Sequence, residues 1–497
     1  MLNSFPIWVV AALAHLPVSF SRGSHEGGGV TPRVNQFDSL KPITQQALRK
    51  YMADPEDTRR RLAAMIPNIP QEQAALDRIH QKLGGLTVDL SVSSINPSVV
   101  NAKAGVSPYL LQGDIVVTDD QLKQMEDEYK RSGGRKKRQA AIPIRKWPQN
   151  TIHYYFHNVS AKSQQAVAAG LKVIQQQTCI NFVKSSTAAN RIRIINADGC
   201  WSPIGMKGGE QDLSLQSDGC DLQGTAAHEF IHAIGYYHEQ SRYDRDQYII
   251  VDLTNVEPDN AYNFDKETTQ TTVNYISYDY GSAMQYGADS FSTNGKISMI
   301  ARKPQFQRTM GSSIVAYSDI RNINMYYSCK PTCTTTQNQI KCLNAGMKNP
   351  RNCSTCICPV GYAGATCNQR PNNGGRTITP TASWQTMTIT VGNSASPSNT
   401  WRPSYTIKTY WFTVPTGRKL EMKITGMQNS HCNYGCSFAS LEFKYGPYPE
   451  LVDPKYCCPE HLNKIYSSTR NPTVLNAHNE YYFSTFTIQY RLVAASG

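Results

Sequence analysis

The sequence lacks cysteine over its first 178 residues and lacks any long apolar run beyond its N-terminus. Disulfides therefore cannot hold residues 22–134 together, although 14 cysteines follow from Cys179 onward. No later stretch approaches the roughly 18 apolar residues of a membrane-spanning helix, so we expect no membrane partner. With 33 glycines and 27 prolines in 497 residues, the composition also excludes collagen and low-complexity sequence.

Charged residues make up only 18% of the chain, and its net charge is +13. A positive surplus can attract nucleic acid or sulfated matrix. The basic residues are spread along the chain apart from one run at 135–138, so we expect no nucleic-acid partner. A chain of 497 residues is too long for one hydrophobic core, which predicts three or more folded units.

The first residues predict export. An apolar run of about a dozen residues turns polar at Ser21, which is the length of a signal-peptide core. We interpret residues 1–21 as a signal peptide; the alternative is a buried N-terminal helix. The cysteines form clusters of four, six and four, which in an exported chain indicates three disulfide-stapled modules of a secreted, extracellular protein.

Residues 22–138 have the features of a removable pro-segment. Thr118 and Gln121 have the spacing of a capping box. The segment ends in the basic run 135–138, a site of the kind that secretory convertases cut, so Arg138 is its predicted last residue. The alternatives for this run are a solvated charged surface and a nuclear signal. Helical patterns dominate the segment, at 44–52, 57–65 and 119–130.

A histidine pattern predicts a catalytic metal centre. On an α-helix His228 and His232 project from the same face, at a separation that one zinc ion bridges. Gly235 permits the left-handed turn that ends the helix and brings His238 round as third ligand. Three nitrogen ligands leave room for water and substrate, and Glu229 is placed to act as general base. The alternative, three histidines on an ordinary helix, explains neither Gly235 nor Glu229.

This pattern, followed by Ser282-Ala-Met284-Gln-Tyr286, resembles the astacin family of metzincin zinc metalloproteases. The resemblance covers residues 139–329 and implies an α+β catalytic domain with one zinc ion per subunit. It implies that Met284 forms the Met-turn beneath the metal. Tyr286 would be a further zinc ligand that stabilises the oxyanion during catalysis.

The same resemblance implies the disulfides Cys179–Cys329 and Cys200–Cys220. It also bears on specificity, because many astacins favour an acidic residue just after the cut. Basic residues that could provide the matching charge are Arg302, Lys303 and Arg308.

Residues 330–368 resemble an EGF-like domain, because six cysteines lie in a segment too short to fold without disulfides. The segment 330–332, before the first of them, supplies no acidic residue, so we expect no calcium there. The resemblance implies the pairs Cys333–Cys353, Cys342–Cys356 and Cys358–Cys367.

Residues 371–495 resemble a CUB domain. Runs rich in threonine and aromatic residues at 386–391 and 481–490 predict an all-β sandwich. Calcium binding by this domain stays open, and so does the pairing of its cysteines, which are Cys432, Cys436, Cys457 and Cys458. The order of astacin, EGF-like and CUB domains is similar to that of tolloid-like and nematode astacins.

The stretch Leu111-Gln-Gly113-Asp114 resembles the Phe-x-Gly-Asp motif of astacin pro-segments. Aspartate is a hard oxygen ligand that zinc accepts, so Asp114 is the predicted zymogen switch. Gly113 would let the backbone approach the cleft closely. The alternative is a plain turn before the helix cap at Thr118.

The sequence as a whole predicts a secreted zinc endopeptidase made as a zymogen. Its expected partners are extracellular protein substrates, with collagen and cuticle as candidates, and a convertase that removes the α-helical or irregular pro-segment. Asn158 and Asn352 lie in glycosylation sequons. The alternative function is a non-catalytic adhesion protein on an inert protease scaffold, which the intact Glu229, Met284 and Tyr286 disfavour.

Overall fold

The computed structural model describes most of the chain from residue 36 onward. Three features predicted from the sequence lie outside the described residues: the signal peptide at 1–21, the cleavage site at Arg138, and Cys333. The described ranges are 36–65, 96–131, 145–269, 271–292, 296–331, 340–397 and 401–495.

Several helices begin where the sequence provides a capping side chain. Asp54 accepts the backbone hydrogen of Asp57 at 3.0 Å, and Ser160 accepts that of Ser163 at 3.0 Å. The reciprocal capping box is present, since Gln121 accepts from the backbone nitrogen of Thr118 at 2.9 Å. The α-helices are α1 Pro42–Leu48, α2 Pro55–Ala63, α3 Pro97–Lys103, α4 Asp119–Arg131, α5 Ala161–Gln177, α6 Gln223–Ala233 and α7 Tyr317–Tyr326.

A six-stranded sheet forms the framework of the central region, residues 145–331. Its strand order is β1-β5-β6-β4-β2-β3, and only the β5/β6 pair is antiparallel. These strands are β1 Ile115–Val116, β2 Thr151–His157, β3 Asn181–Lys184, β4 Arg191–Ile195, β5 Cys200–Pro203 and β6 Glu210–Leu215. A two-stranded sheet joins β7 Ile249–Val251 to β8 Met299–Ala301.

Strand β4 has a sequence pattern typical of a half-buried edge strand. Its alternating Ile and Arg residues suggest one wet face, yet β4 lies inside the sheet between β2 and β6. Ile192 and Ile194 are fully buried. Arg193 is paired with Asp212 at 2.6 Å on the opposite face. The arginines of β4 are therefore paired with carboxylates of the neighbouring strand β6.

Helices α5 and α6 cover the apolar face of this sheet. Leu171 of α5 and Phe230 of α6 pack in one core with the isoleucines of β2 and β4. Gly170 lets the two helices touch, because a Cβ there would lie 2.9 Å from the carbonyl oxygen of Gln223. Burial of each such side chain stabilises the fold by about 1.5–3 kcal/mol. The core thus positions α6, which carries the first two histidines of the motif.

The N-terminal region, described at 36–65 and 96–131, packs on the central region partly as a strand. Ile115 pairs with Ser202, so β1 extends the central sheet. Lys50 lies 2.8 Å from Asp212, which gives this carboxylate a second cation beside Arg193. The expectation of purely helical or irregular structure for this region is therefore wrong at β1.

The described residues 340–397 and 401–495 form mainly β-structure joined by disulfides. A hairpin of β9 Met347–Asn349 and β10 Asn352–Ile357 precedes a sandwich at 371–495, which we call the β-sandwich region. Its sheets have orders β11-β13-β18-β15-β16 and β12-β19-β14-β17, and fully buried Phe412, Leu441 and Ile488 lie between them. The strands are β11 Thr377–Ile378, β12 Gln385–Gly392, β13 Trp401–Phe412, β14 Arg418–Gln428, β15 Ala439–Lys444, β16 Lys455–Tyr456, β17 Tyr466–Ser468, β18 Thr473–Tyr481 and β19 Phe483–Ala494.

The disulfides among described residues include four of the five pairs that the resemblance implied. The two pairs left open by the sequence are resolved as Cys432–Cys458 and Cys436–Cys457. Cys353 is disulfide-bonded, and its pairing with Cys333 stays a prediction. The implied pairs found are Cys179–Cys329, Cys200–Cys220, Cys342–Cys356 and Cys358–Cys367. In the part of the chain that the structure describes, no helix is both long and apolar enough to span a bilayer.

Candidate metal centre

Helix α6 and the turn after it bring three histidines together. The helix ends at Ala233, and Gly235 has φ +112°, a value that glycine adopts without a Cβ clash. Its backbone nitrogen donates to the carbonyl oxygen of His232 at 2.8 Å, which closes the helix end. The chain then reverses, and His238 faces the two histidines of the helix.

The three imidazoles converge on one point. The Nε2 atoms of His228 and His232 are 3.1 Å apart, and each lies 3.2 Å from the Nε2 atom of His238. All three side chains are almost completely buried. Three nitrogens at these separations surround a volume that one small cation fills.

The opposite ring nitrogens fix the orientation of each imidazole. Nδ1 of His228 lies 2.7 Å from the carbonyl oxygen of Ala283, and Nδ1 of His232 lies 2.6 Å from that of Tyr236. Nδ1 of His238 lies 2.9 Å from Oε1 of Gln112. Because each Nδ1 has an oxygen acceptor, it carries the ring hydrogen and leaves Nε2 free to bind a metal.

Asp114 of the N-terminal region completes the cluster. Its Oδ2 lies 3.1 Å from Nε2 of His228 and 3.2 Å from Nε2 of His238, and its Oδ1 lies 3.3 Å from Nε2 of His232. Asp114 sits in a tight loop closed by two backbone hydrogen bonds between Leu111 and Ile115. The aspartate therefore occupies the position from which a fourth ligand binds.

Gly113 is needed for this approach. It has φ +86°, and a Cβ on it would lie 2.5 Å from the ring of Phe291. Any side chain would push the loop out of the cleft. Leu111 is buried in an apolar cluster with Leu62 and Tyr262, so the loop is anchored beside the site as well as at the histidines.

The two carboxyl groups of the site have opposite pKa shifts. Burial alone raises the pKa of Asp114, but attraction to His238 and His232 outweighs it, so its pKa lies well below its usual range. Burial, together with the negative charge of Asp114, raises the pKa of Glu229 well above its usual range. The histidines thus favour the charged form of Asp114, and the charge of Asp114 in turn disfavours that of Glu229.

These residues fit zinc. Three imidazole nitrogens and one carboxylate oxygen lie within 4.8 Å of one another and are all buried, a donor set that suits a tetrahedral zinc ion. Both carboxylate oxygens of Glu229 are buried without a hydrogen-bond partner. Such an orphaned carboxylate next to a metal site has the chemistry to bond a water molecule there.

Comparison with known proteins agrees with this geometry. Residues 139–328 match the family model for Astacin (Peptidase family M12A). Zinc metalloproteinase nas-17 of Caenorhabditis elegans is 37% identical over 390 residues, which are 77% of this chain and 86% of that protein. The chain belongs to the astacin family.

Two further matches illustrate the extent of the similarity. Zinc metalloproteinase nas-31 of C. elegans is 40% identical over 406 residues, 80% of this chain, and the chain spans 66% of that protein's length. Among solved structures, the chain is similar to high choriolytic enzyme 1, a hatching enzyme zinc-protease from the medaka fish Oryzias latipes. That structure is 33% identical, covers 38% of this chain and 94% of its own, and has a TM-score of 0.35.

The centre is suited to one zinc ion, which His228, His232 and His238 would hold. Beneath it the predicted Met-turn is buried, with Met284 only 3% exposed. The carbonyl oxygen of Met284 accepts from the backbone nitrogen of Glu239 at 2.8 Å. The turn is therefore fastened to the residue that follows the third ligand.

Sequence reasoning missed a residue that holds this turn, Asp319 of α7. Its carboxylate accepts from Ser282 Oγ at 2.6 Å and from the backbone nitrogen of Ala283 at 2.9 Å. Because the Ala283 carbonyl anchors His228, Asp319 positions a metal ligand through one intervening peptide. No motif signals this role, since Asp319 lies 36 residues beyond Ala283.

Tyr286 contacts the N-terminal region rather than standing alone beside the histidines. Its hydroxyl oxygen lies 2.6 Å from Oδ2 of Asp114 and 2.8 Å from the carbonyl oxygen of Gln112. Its ring lies 4.1 Å from that of His238, measured between centroids. The sequence singled out Tyr286 and Asp114 separately, and the fold places them in direct contact.

Chelation provides a direct check of the metal assignment. We expect 1,10-phenanthroline to abolish peptide hydrolysis by the processed protein, and added zinc to restore it, because three neutral imidazoles release a metal to a stronger chelator. Activity would be followed with a quenched fluorescent peptide, with the non-chelating 1,7-phenanthroline as control. Hydrolysis that survives complete removal of zinc would exclude the metal centre as the catalytic site.

Proposed function

We propose that this chain is the inactive precursor of a secreted zinc endopeptidase that cuts extracellular proteins. The observation that carries the proposal is the position of Asp114, whose carboxylate contacts all three ligand histidines. The segment that covers the metal site thus ends 24 residues after Asp114, at Arg138 of the basic cleavage sequence. That arrangement suits an enzyme that is switched on when the segment is removed.

Catalysis in the processed enzyme rests on Glu229. When bound, zinc supplies Lewis acidity that lowers the pKa of a water molecule and polarises the substrate carbonyl. Glu229 takes the proton from the attacking water and delivers it to the leaving amine. Its carboxylate is buried and has no hydrogen-bond partner among the described residues, so it is available to bond a water molecule at the metal site.

Tyr286 stabilises the charge that develops on the substrate oxygen. In the precursor its hydroxyl lies within hydrogen-bond distance of Asp114 and Gln112. Departure of the N-terminal region frees this hydroxyl to donate to the oxyanion, the kind of preorganised contact that contributes most to many enzymes. The same departure therefore uncovers the metal and releases the tyrosine.

The N-terminal region is held by more than the aspartate. The Gln112 side chain donates to Glu267 at 2.9 Å, and the hydroxyl of Tyr262 donates to the carbonyl oxygen of Leu110 at 2.8 Å. Asn101 donates to the carbonyl oxygens of Gly113 and Cys200 at 2.8 and 2.7 Å. These contacts support an inhibitory pro-segment at residues 22–138 and disfavour the adhesion-protein alternative, which needs no cover over a metal site.

A cavity beside Glu239 suits the new N-terminus of the processed enzyme, near residues 139–141. It has a volume of about 270 Å³ and is lined by Glu239, Tyr237 and Tyr275 among others. Burial raises the pKa of Glu239 to about 7 although Arg242 opposes the shift. An α-ammonium group entering this cavity would find a buried carboxylate as partner.

The remaining features support an extracellular setting. Disulfides link the described cysteines, as in proteins of oxidising compartments. Asn158 and Asn352 are exposed, as glycosylation requires. We propose an EGF-like domain at 330–368, a CUB-like domain at 371–495, and structural proteins such as collagen or cuticle as substrates.

Blocking the basic site should leave the precursor silent. We expect the double variant Arg135→Ala, Arg138→Ala to be secreted at full length and to hydrolyse no peptide. Convertases need these two arginines, and without cleavage the pro-segment stays over the metal site. The measurement is an immunoblot of the medium combined with a peptidase assay. A Lys136→Ala, Lys137→Ala variant, which keeps both arginines, is the matched control. An active, uncut double variant would show that the segment does not inhibit.

A further inference from the structure

A small pocket adjoins the metal centre, and its outer wall belongs to a loop of the central region. The pocket is lined by His228 and Tyr286, by Gly224 and Thr225 of the first turns of α6, and by the loop 311–313. Ala283 and Gln285 of the central region and Asn96 and Pro97 of the N-terminal region line the rest of it. Removal of the pro-segment opens this space directly beside the metal, where the side chain next to a scissile bond must lie.

The wall of this pocket is held from behind by the β-sandwich region. The hydroxyl of Tyr405 donates to the carbonyl oxygen of Ser313. The ammonium group of Lys455 donates to Ser312 Oγ at 2.5 Å, and its backbone nitrogen donates to Thr309 Oγ1 at 3.0 Å. Lys455 and Ser312 are buried. Tyr405 and Lys455 of the β-sandwich region thus hold Ser313 and Ser312, two consecutive residues of the pocket wall.

Two glycines allow helix α6, the loop 311–313 and the β-sandwich region to lie in direct contact. A Cβ on Gly224 would lie 1.9 Å from the Ser313 carbonyl oxygen and 2.6 Å from the Tyr405 hydroxyl. A Cβ on Gly435 of the β-sandwich region would lie 1.9 Å from the carbonyl oxygen of Gly311. The ligand helix, the loop and the β-sandwich region are therefore stacked without a gap, and movement of one displaces the next.

The lining of the pocket indicates which side chain it accepts. Apart from the ligand His228, none of its lining residues is ionisable at neutral pH, and Ser313 Oγ is buried without a hydrogen-bond partner. Arg308, a candidate partner for an acidic substrate residue, is 2% exposed and donates to Glu460 at 2.7 Å. A charged side chain would lose its hydration here, and none of the lining residues other than His228 can carry a charge to offset that loss.

We propose that the β-sandwich region sets the cleavage specificity of this enzyme by holding Ser312 and Ser313 as the wall of a pocket for a small, uncharged side chain. The proposal rests on the proposed peptidase function. Tyr405 and Lys455 are positioning residues, because they act on the substrate only through the loop. The β-sandwich region is then part of the substrate site, and its removal would change which peptide bonds the enzyme cuts.

The test uses the processed full-length enzyme and three peptides that differ only at the residue beside the cut, which is alanine, aspartate or phenylalanine. Wild-type enzyme should prefer alanine. In the variant Tyr405→Phe, Lys455→Met, we expect the ratio of kcat/KM for alanine to that for phenylalanine to fall about tenfold, since two hydrogen bonds that hold the wall are lost. Tyr405→Phe alone should lower the ratio about threefold, and it carries the test if the double variant does not fold.

The matched control is Tyr448→Phe, Lys408→Met. It makes the same chemical changes in the same region, where Tyr448 is 55% exposed and Lys408 bonds Thr390 of the sandwich itself. Its ratio should equal that of wild type. An unchanged ratio in the double variant, an equal loss on all three peptides, or a wild-type preference for aspartate would overturn the inference while leaving the peptidase function intact. Wild-type enzyme that cuts no peptide would overturn both.

Discussion

Replacement of Glu229 by alanine in the processed enzyme is expected to lower kcat by a factor of about 10²–10⁴, the usual contribution of a positioned general base. Zinc content should stay at one ion per chain, because His228, His232 and His238 keep their ligand atoms and their Nδ1 anchors. Loss of activity with retained metal is the signature of a missing proton carrier. The measurements are steady-state kinetics on a peptide substrate and metal analysis of the same sample.

Two further variants sharpen this result. Glu229→Gln keeps the shape of the side chain but cannot take a proton, so it should be as inactive as the alanine variant. Glu257→Ala removes an exposed glutamate of the same region and should be fully active. Near-normal turnover by Glu229→Gln would contradict the assignment of Glu229 as the base and move that role to another group.

Replacement of Asp114 by alanine in a precursor that cannot be cut is expected to create activity where the parent has none. The background carries Arg135→Ala and Arg138→Ala, so any hydrolysis comes from the intact chain. Removing one member of a buried ionic cluster costs about 3–5 kcal/mol, which corresponds to a hundredfold or greater rise in the population with an open site. The measurement is hydrolysis of a fluorogenic peptide by the purified, uncut protein.

The structure also predicts that the uncut Asp114→Ala precursor is only partly active. Gln112 still bonds His238 and Glu267 in the Asp114→Ala variant, so adding Gln112→Ala should raise activity further. Asp120→Ala, which removes an exposed carboxylate of α4, is the control and should stay silent. A silent Asp114→Ala precursor with unchanged zinc coordination by X-ray absorption would rule out the aspartate switch.

Much of the site is readable from residue types at short spacings. His228 and His232 meet because one helical turn separates them, and Gly235 ends the helix because its backbone can adopt a positive φ. The capping box at Thr118 and Gln121 likewise follows from a local hydrogen-bond pattern. Local geometry is sufficient in each case, so these features can be predicted from a single sequence.

The sequence by itself therefore predicted the metal ligands and the general base, and it determined the starts of several helices, each from about a dozen residues. The tertiary structure alone decided which distant groups support them: Gln112 on His238, Asp319 behind Ala283, and Tyr405 behind Ser313. It also placed β4 inside the sheet although its pattern is that of an edge strand. The side-chain contacts just named join residues 36 to 126 positions apart. They depend on how whole helices and sheets pack against each other. The periodicity of one segment carries no information about the surface that another segment presents to it.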